Sequence, residues 1–289
     1  MIKRSLIVLC FASCSALVAD VPDGGGIQAP NDAGAVADTG YVAGLSCADD
    51  ERADEVGRVC VPTIGTAACA AGASVHPEHQ WLQAADTVLH AAPDGTGDGS
   101  TADQAGSLPA MVAAVGDGST AIILAQGTYA INDALALGVR GPLSLIGACA
   151  AQTTLELSAP ISGAQGSTVQ IYGLGVRGPL SAEEGAKASA ITMQDVSSFK
   201  LMQSTITAAA GHGLELSGSG AGGALLSGVT FEGVRNSAMH ATDALGSWTV
   251  EGNLCRGPIG EHGMAFAGGD ANVTLRSNQF EGISGDAMR

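Results

Sequence analysis

Three side chains in the C-terminal half of the chain have the chemistry of an acid–base site: His212, Glu215 and His240. Glu215 and His240 are 25 residues apart, which is also the interval at which the surrounding sequence repeats. If they occupy the same position on neighbouring strands, they lie about 5 Å apart. The carboxylate can then orient the imidazole while the imidazole acts as a general base. We therefore take these three residues as candidate catalytic residues.

The same residues also fit a simpler interpretation, a solvated cross-strand ion pair. Such a pair would contribute less than about 1 kcal/mol. His212 and His262 would lie two strands apart, or roughly 10 Å, which is too far to share a metal ion directly. We therefore predict no metal and no cofactor at this face.

The elements that would position these residues follow from an internal repeat. Apolar anchors recur at intervals of 23, 25, 25 and 24 residues as Ile191, Leu214, Met239, Met264 and Met288. A second series with the same period is Phe199, Ala224, Trp248 and Val273. A third is Ile206, Phe231, Cys255 and Phe280. Three strand series with one period predict an all-β fold, a right-handed parallel β-helix with 24–25 residues per turn.

Small residues precede every anchor of the first series, as expected for a tight corner: Ala190, Gly213, Ala238, Gly263 and Ala287. An α-solenoid is excluded because a 3.6-residue periodicity is absent and glycine is abundant. Trp248 and Cys255 are predicted to face the interior. Residues 154–157, 168–171 and 174–176 are predicted to form one less regular turn, and residues 181–187 a loop insertion.

A short capping helix is predicted before the repeats, with Ser107 as its N-cap and a strand ending in Gly127-Thr128-Tyr129 after it. This order resembles the opening of pectate-lyase-like β-helix proteins, and the resemblance covers about residues 91–289. It implies a substrate lying along the outer face of the first strand series. Outward positions there are Thr192, Glu215, His240, Ala265 and Arg289. Positions just before the corner are Ser189, His212, Ser237, His262 and Asp286.

Gly211-His212-Gly213 also resembles the Gly-His-Gly motif of polygalacturonases. Those enzymes carry acids on the preceding turns, where this chain has Ser189 and Thr192, so the second carboxylate needed for hydrolysis is missing. Pectate lyases instead bind Ca²⁺ through acids near an Arg or Lys base. Arg235 and Arg256 have no acidic cluster beside them in the sequence.

Asp94–Gly99 matches the first half of a Ca²⁺ loop, but Ala105 stands where a bidentate acid is required. We therefore expect a loop leading into the cap, with bound Ca²⁺ as an unsupported alternative. No Cys-x-x-Cys spacing suggests a zinc site.

The chain is acidic, with a formal net charge of −16. It has no basic stripe, so nucleic acid is not an expected partner. Aromatic residues make up only 3% of the chain, which leaves few platforms on which sugar rings can stack.

Residues 1–19 are predicted to be an export signal, because Lys3 and Arg4 precede a short apolar run. Phe11-Ala12-Ser13-Cys14 resembles a lipobox, so Cys14 is the predicted lipidation site and the lipid would hold the protein on a membrane. Residues 20–46 are predicted to be a flexible linker. We expect an outer-membrane or cell-surface lipoprotein. The alternative is cleavage after Ala16 or Ala19, which gives a secreted or periplasmic protein without lipid.

Residues 47–90 are predicted to be a small Cys-containing segment in which two of Cys47, Cys60 and Cys69 pair in an oxidising compartment. Cys255 is predicted to be a plain buried thiol. The full pairing stays open among five residues: Cys47, Cys60, Cys69, Cys149 and Cys255.

Residues 286–289 begin a further turn and leave an open sheet edge, which predicts a truncated chain or end-to-end self-association. From all these features we expect an exported, surface-anchored binding or structural module without catalysis, whose partner is a polysaccharide or another surface protein. One alternative is a carbohydrate-active enzyme, a polysaccharide lyase or a glycoside hydrolase, that uses Glu215, His240 and His212. Another is a degenerate relative without activity.

Overall fold

The computed structural model of the chain describes residue 47 and residues 51–54, 56–69, 73–138, 140–179, 188–218 and 223–289. The predicted export signal with Cys14, the linker 20–46 and the loop 181–187 lie outside the described residues. No helix within the described ranges is long and apolar enough to cross a membrane.

Helical structure is short and lies near the N-terminal end of the described chain. The helices are α1 (Gln80–Gln83) and α2 (Leu108–Ala113), with a 3₁₀ turn at Ala102–Gln104. The α2 helix is the one that the sequence predicts. The Ser107 hydroxyl accepts a hydrogen bond from the Ala110 N–H at its N-terminus. Leu108 and Met111 of this helix are buried against the end of the solenoid core.

Two short strands, β1 (Glu51–Asp54) and β2 (Val59–Pro62), form an antiparallel hairpin. The remaining strands all pair in parallel and follow one another along the solenoid. In chain order they are β3 (Thr87–Ala91), β4 (Thr120–Leu124), β5 (Gly127–Ile131), β6 (Leu135–Leu137), β7 (Leu143–Gly147), β8 (Thr153–Leu157), β9 (Ile161–Gly163), β10 (Thr168–Tyr172), β11 (Gly175–Arg177), β12 (Ile191–Gln194), β13 (Ser198–Met202), β14 (Thr205–Thr207), β15 (Leu214–Ser217), β16 (Ala224–Ser227), β17 (Thr230–Glu232), β18 (Met239–Ala244), β19 (Ser247–Glu251), β20 (Leu254–Ile259), β21 (Met264–Gly269), β22 (Asn272–Arg276) and β23 (Gln279–Ile283).

The described strands form three parallel sheets. The eight-stranded sheet has the order β22-β19-β16-β13-β10-β7-β4-β3, the seven-stranded sheet β23-β20-β17-β14-β11-β8-β5, and the six-stranded sheet β21-β18-β15-β12-β9-β6. From β4 onward each connection carries the chain to the next sheet, so each strand from β7 on stacks on the strand three places before it. The first strand, β3, pairs directly with β4 in the eight-stranded sheet. The all-β parallel β-helix predicted from the repeats is confirmed.

The predicted registers are also confirmed. In the six-stranded sheet, Ile191 pairs with Leu214, Leu214 with Met239, and Met239 with Met264. Met264 in turn bridges to Met288. The anchor side chains are fully buried up to Met264, so like residues stack on like residues inside the solenoid.

One predicted turn is wrong. Residues 154–157 and 174–176 were expected on a single turn, but β8 and β11 pair with each other in the seven-stranded sheet, with Leu155 opposite Val176. They therefore belong to successive turns. The strand missing from the prediction is β9, which has three residues and ends in Gly163, too short to show an alternating pattern.

The interior is apolar, and both predicted interior residues lie there. Trp248 and Cys255 are buried, and the Trp248 indole N–H donates to the Leu245 carbonyl at 2.7 Å. Burial raises the pKa of the free Cys255 thiol to about 12. Cys255 therefore remains an inert thiol at neutral pH, as predicted.

The described residues between 47 and 84, which we call the strap, lie along the outside of the solenoid. Trp81 lies on the eight-stranded sheet, and Thr66 hydrogen-bonds to Thr230 on β17 of the seven-stranded sheet. Trp81 packs over outward-facing Ile146, Tyr172 and Met202. The Tyr172 hydroxyl donates a 2.6 Å hydrogen bond to the buried Asp54 carboxylate. Two disulfides hold the strap: Cys47–Cys60 closes it on itself, and Cys69–Cys149 joins it to the solenoid.

Candidate functional site

The predicted outward column is present on the six-stranded sheet. Thr192, Glu215, His240 and Ala265 occupy one register on β12, β15, β18 and β21. Their neighbours along each strand are buried anchors, and this alternation turns the column outward. Glu215 and His240 are half-buried and pair in register on adjacent strands.

Glu215 is held by a residue from the previous turn. The hydroxyl of buried Ser189 donates to the Glu215 Oε2 at 2.8 Å and accepts from the His212 backbone N–H at 3.3 Å. The sequence predicts His240 as the partner of Glu215. In the structure Ser189 is instead the hydrogen-bond partner of Glu215, because a short side chain just before the corner can reach the carboxylate. One serine thus fixes both Glu215 and the backbone of His212.

His212 and His240 are in ring contact, with centroids 4.5 Å apart and planes inclined by 31°. The Ser237 N–H donates to the His212 Nδ1 at 3.2 Å. Because Nδ1 accepts, the neutral ring carries its proton on Nε2 and presents a donor there. The His240 Nδ1 is buried and has no hydrogen-bond partner among the described residues.

His262 repeats the arrangement of His212. The Asp286 N–H donates to the His262 Nδ1 at 3.2 Å, so the neutral ring again carries its proton on Nε2. The Arg289 Nη1 lies 3.3 Å from that Nε2. The Arg289 guanidinium has further N–H groups that can donate to an oxygen acceptor in the groove beside His262.

These groups border an open groove of about 340 Å³ on the outer face of the six-stranded sheet. Its lining includes His212, Ser237, His240, Glu261, His262, Phe266 and Arg289. The buried Ser237 hydroxyl has no hydrogen-bond partner among the described residues. Three imidazoles, one guanidinium and one exposed carboxylate thus meet in a single cleft, which can bind oxygen-rich ligands and transfer protons.

Sequence reasoning identified the histidines but missed the roles of Ser189, Ser237, Glu261 and Phe266. Ser189 and Ser237 share the position before the corner with His212 and His262. Their shared position could have indicated these roles, because a side chain just before the corner can accept a hydrogen bond from a backbone N–H at the next corner. Glu261 lies in a loop, where the repeat gives no direction for a side chain. Phe266 lies within β21 in register with buried Ala241, so the repeat directs it towards the core rather than to the groove.

No group of three or more His, Cys, Asp or Glu side chains in the described part of the chain could hold a metal ion. The Asp94–Gly99 segment is a loop closed by backbone hydrogen bonds, from the Gly97 N–H to the Ala105 carbonyl and from the Gly99 N–H to the Gln104 carbonyl. Hydrogen bonds from Ser100 keep the pKa of Asp98 below its usual value. That carboxylate is thus engaged within its own loop.

No protein-family model matches this chain, and no curated protein matches it. Solved structures that match include the catalytic domain of a GH87 alpha-1,3-glucanase in complex with nigerose, at 16% identity and a TM-score of 0.39. That match covers 58% of this chain and 32% of the other. A variant of such a domain with tetrasaccharides matches at 15% identity and a TM-score of 0.31, covering 57% and 34%. This chain thus spans about a third of the length of the structures it matches.

The expectation of a binding or structural module without catalysis is corrected by this comparison, because the matching structures are catalytic domains of carbohydrate-active enzymes. These matches assign no residue roles to this chain, and its fold is established by its own strand registers. The side chains of its own groove are therefore the basis for assigning an activity to this chain. The narrower resemblance to pectate-lyase-like proteins stays a prediction.

Proposed function

We propose that this protein is a carbohydrate-active enzyme that cleaves a polysaccharide lying along the outer face of the six-stranded sheet. The observation that carries the proposal is the contact between His212 and His240 at the edge of an open groove, with Glu215 in register beside them. A long parallel face suits a polymer, because side chains repeat along it at each turn of about 4.8 Å.

The hydrogen bonds suggest a role for each candidate residue. His212 lines the groove and contacts the His240 ring, so we assign its imidazole the role of proton donor to the glycosidic oxygen. No described partner fixes the tautomer of His240, so its Nε2 can take up a proton as a general base. Glu215, held by Ser189, lies in register with His240 on the neighbouring strand and can orient the imidazole.

This set of groups fits elimination better than hydrolysis. Hydrolysis of a glycosidic bond ordinarily uses two carboxylates that flank the bond. Here Glu215 is hydrogen-bonded to a hydroxyl beside an imidazole, and Glu261 is the one carboxylate among the described lining residues of the groove. Elimination needs a base, a donor to the leaving oxygen and a binding site for the uronate carboxylate. The Arg289 guanidinium, beside His262 in the groove, fits that carboxylate. We therefore propose a polysaccharide lyase acting on a uronate-containing polymer.

A panel of uronate-containing and neutral polysaccharides tests this proposal. Ultraviolet absorbance detects the unsaturated uronate that elimination leaves, and a reducing-end assay detects cleavage of either kind. We expect both signals with a uronate polymer and neither with neutral polymers. Reducing ends without the ultraviolet signal would instead assign a glycoside hydrolase. No cleavage of any polymer by folded protein would contradict the enzyme.

We also propose that the protein is exported and anchored through Cys14. The lipobox-like Phe11-Ala12-Ser13-Cys14 supports this, and so do the disulfides Cys47–Cys60 and Cys69–Cys149, which are stable in oxidising compartments. The intact mass of the protein from the native membrane fraction tests the anchor. A mature chain that starts at an acylated Cys14 is the expected result. A chain that starts after Ala16 or Ala19 without lipid would contradict it.

A further inference from the structure

A second groove, of about 260 Å³, lies on a different face of the solenoid, between α1 of the strap and the eight-stranded sheet. Its floor is an outward column on three successive strands, with Ser144 on β7, Gln170 on β10 and Lys200 on β13. Its wall is formed by Gln80 and Trp81 of α1. None of these residues belongs to the groove on the six-stranded sheet.

Lys200 gives this groove an uncompensated positive charge. It is the only lysine in the described part of the chain and is half-buried. No described carboxylate lies within 4.0 Å of its ammonium group, although the protein carries a net charge of −16. A half-buried ammonium group without a partner favours a negatively charged ligand.

The other polar groups of the groove also offer hydrogen-bond donors. The Gln170 Oε1 accepts from the Ser144 hydroxyl at 3.0 Å, so the Gln170 amide N–H groups remain for a ligand. Trp81 is only 6% exposed, yet its indole N–H donates to no described residue. The indole of Trp248, by contrast, donates to a backbone carbonyl. The Trp81 Nε1 is not among the buried side-chain atoms that lack a partner, so its N–H is open to water or to a ligand in the groove.

The wall of the groove is held in place before any ligand binds. The His79 Nδ1 accepts from the Trp81 backbone N–H at 3.2 Å, and the Trp81 ring meets Tyr172 edge-on at 6.0 Å. The disulfide Cys69–Cys149 joins the strap to the solenoid. A fixed wall lowers the cost of ordering the site on binding.

We propose that this groove binds a small organic carboxylate about the size of a monosaccharide. Lys200, Gln170 and Trp81 supply donors for the carboxylate and other ligand oxygens, while Pro142 and Ala84 supply apolar surface for the body of the ligand. A volume of 260 Å³ corresponds to about nine water molecules at roughly 30 Å³ each, which is enough room for one sugar ring. This site is independent of the proposed cleavage reaction.

Calorimetric titration of the full chain with sodium glucuronate, glucose and sodium sulfate, at matched ionic strength, tests the site. Glucuronate and glucose have the same ring and differ in the carboxylate, whereas sulfate carries charge without a ring. We expect glucuronate to bind at least tenfold more tightly than either of the others. We also expect glucuronate to shift the indole N–H resonance of Trp81 and to leave that of Trp248 in place.

Two variants separate this site from general charge effects. Lys200→Met keeps the aliphatic stem and should weaken glucuronate binding at least tenfold. Arg256→Met makes the same change of charge on the seven-stranded sheet and should leave binding unchanged. Equal affinity for glucose and glucuronate, equal weakening by both variants, or no binding of glucuronate would each overturn the proposal. Unchanged melting temperature and circular dichroism confirm that Lys200→Met is folded.

Discussion

The Ser189 hydroxyl and the Glu215 carboxylate lie on neighbouring turns and are joined by a 2.8 Å hydrogen bond. Ser189 is buried at the corner, whereas Glu215 is half-buried on the strand that follows the next corner. The bond ties a catalytic candidate to the backbone framework, because the same hydroxyl also accepts from the N–H of His212. Ser189 is thus a positioning residue, and Glu215 is the residue it positions.

This relationship predicts a graded loss of cleavage. Glu215→Gln removes the charge beside His240 and should lower kcat on a uronate polymer by at least a hundredfold, within the range attributed to general acid–base groups. Ser189→Ala leaves the carboxylate in place but frees it to turn, and should lower kcat roughly tenfold with little change in KM. Initial rates of ultraviolet absorbance measure both effects.

Glu232→Gln is the matched control, because Glu232 lies on β17 of the seven-stranded sheet and faces outward there. It should cleave at the wild-type rate. If Glu215→Gln also retains that rate, Glu215 has no part in the reaction. If Ser189→Ala reduces activity only in proportion to a loss of folded protein, Ser189 has a structural role and no positioning role.

The corner before each anchor leads to a prediction about stability. A Cβ atom at Gly213 would lie 2.7 Å from the Ala238 carbonyl oxygen and 2.9 Å from the Phe231 ring. Gly213→Ala should therefore lower the free energy of unfolding by about 1–3 kcal/mol, as overpacking usually does. Urea denaturation followed by circular dichroism measures the change.

Gly116→Ala serves as the control for the corner, because a Cβ atom at Gly116 meets nothing within 4 Å. That variant should be as stable as wild type or slightly more stable, since alanine restricts the unfolded chain. Similar unfolding free energies for the two variants would show that the corner tolerates a methyl group, against the close approach seen at Gly213.

The solenoid could be predicted from the sequence because its contacts repeat. Leu214 meets Met239 for the same reason that Met239 meets Met264, so one period determines every register. The contact between Ser189 and Glu215 could not be predicted, since it depends on where a corner side chain turns. The repeat determines which residues share a register, but it does not determine the rotamers of their side chains.

The strap could not be predicted because each of its contacts occurs once. Asp54 meets Tyr172 across 118 residues, and Cys69 pairs with Cys149 across 80. Neither contact leaves a periodic trace in the sequence. The odd number of cysteines remaining after Cys14 also allowed several pairings, and only the fold places Cys149 beside the strap.

The hydrogen bond between Tyr172 and Asp54 predicts how firmly the strap is attached. Tyr172→Phe removes the donor and leaves a buried carboxylate oxygen without it, which should cost about 1–3 kcal/mol of unfolding free energy. A double-mutant cycle with Asp54→Ala isolates the interaction. We expect Tyr172→Phe to cost at least 1 kcal/mol less in the Asp54→Ala background. Equal costs in both backgrounds would mean that the hydrogen bond contributes nothing to stability.

The burial of the His79 side chain predicts that the free energy of unfolding decreases in mild acid. Its side chain lies between the rings of Trp81 and Tyr172, and its Nε2 is buried with no hydrogen-bond partner among the described residues. Burial, with a smaller contribution from the charge of His76, lowers the pKa of His79 from 6.5 to about 4. Between these two values the unfolded chain binds a proton that the folded chain excludes. The stability that neutral His79 contributes is therefore fully present above about pH 6.5 and is lost as the pH falls towards 4.

Each pH unit in that window is worth about 1.4 kcal/mol, so the contribution of His79 should reach roughly 3 kcal/mol near pH 4. Urea denaturation at neutral pH and near pH 4 measures this contribution. The same two measurements on His79→Asn give the pH dependence of all the other titrating groups. Asparagine keeps an acceptor for the Trp81 N–H, so the N-cap of α1 survives while the titrating group is lost. We expect wild type to lose about 3 kcal/mol more than His79→Asn on acidification. His76→Asn should keep most of the wild-type dependence, because burial is the larger cause. If wild type and His79→Asn respond equally to pH, the strap is not held by a neutral imidazole.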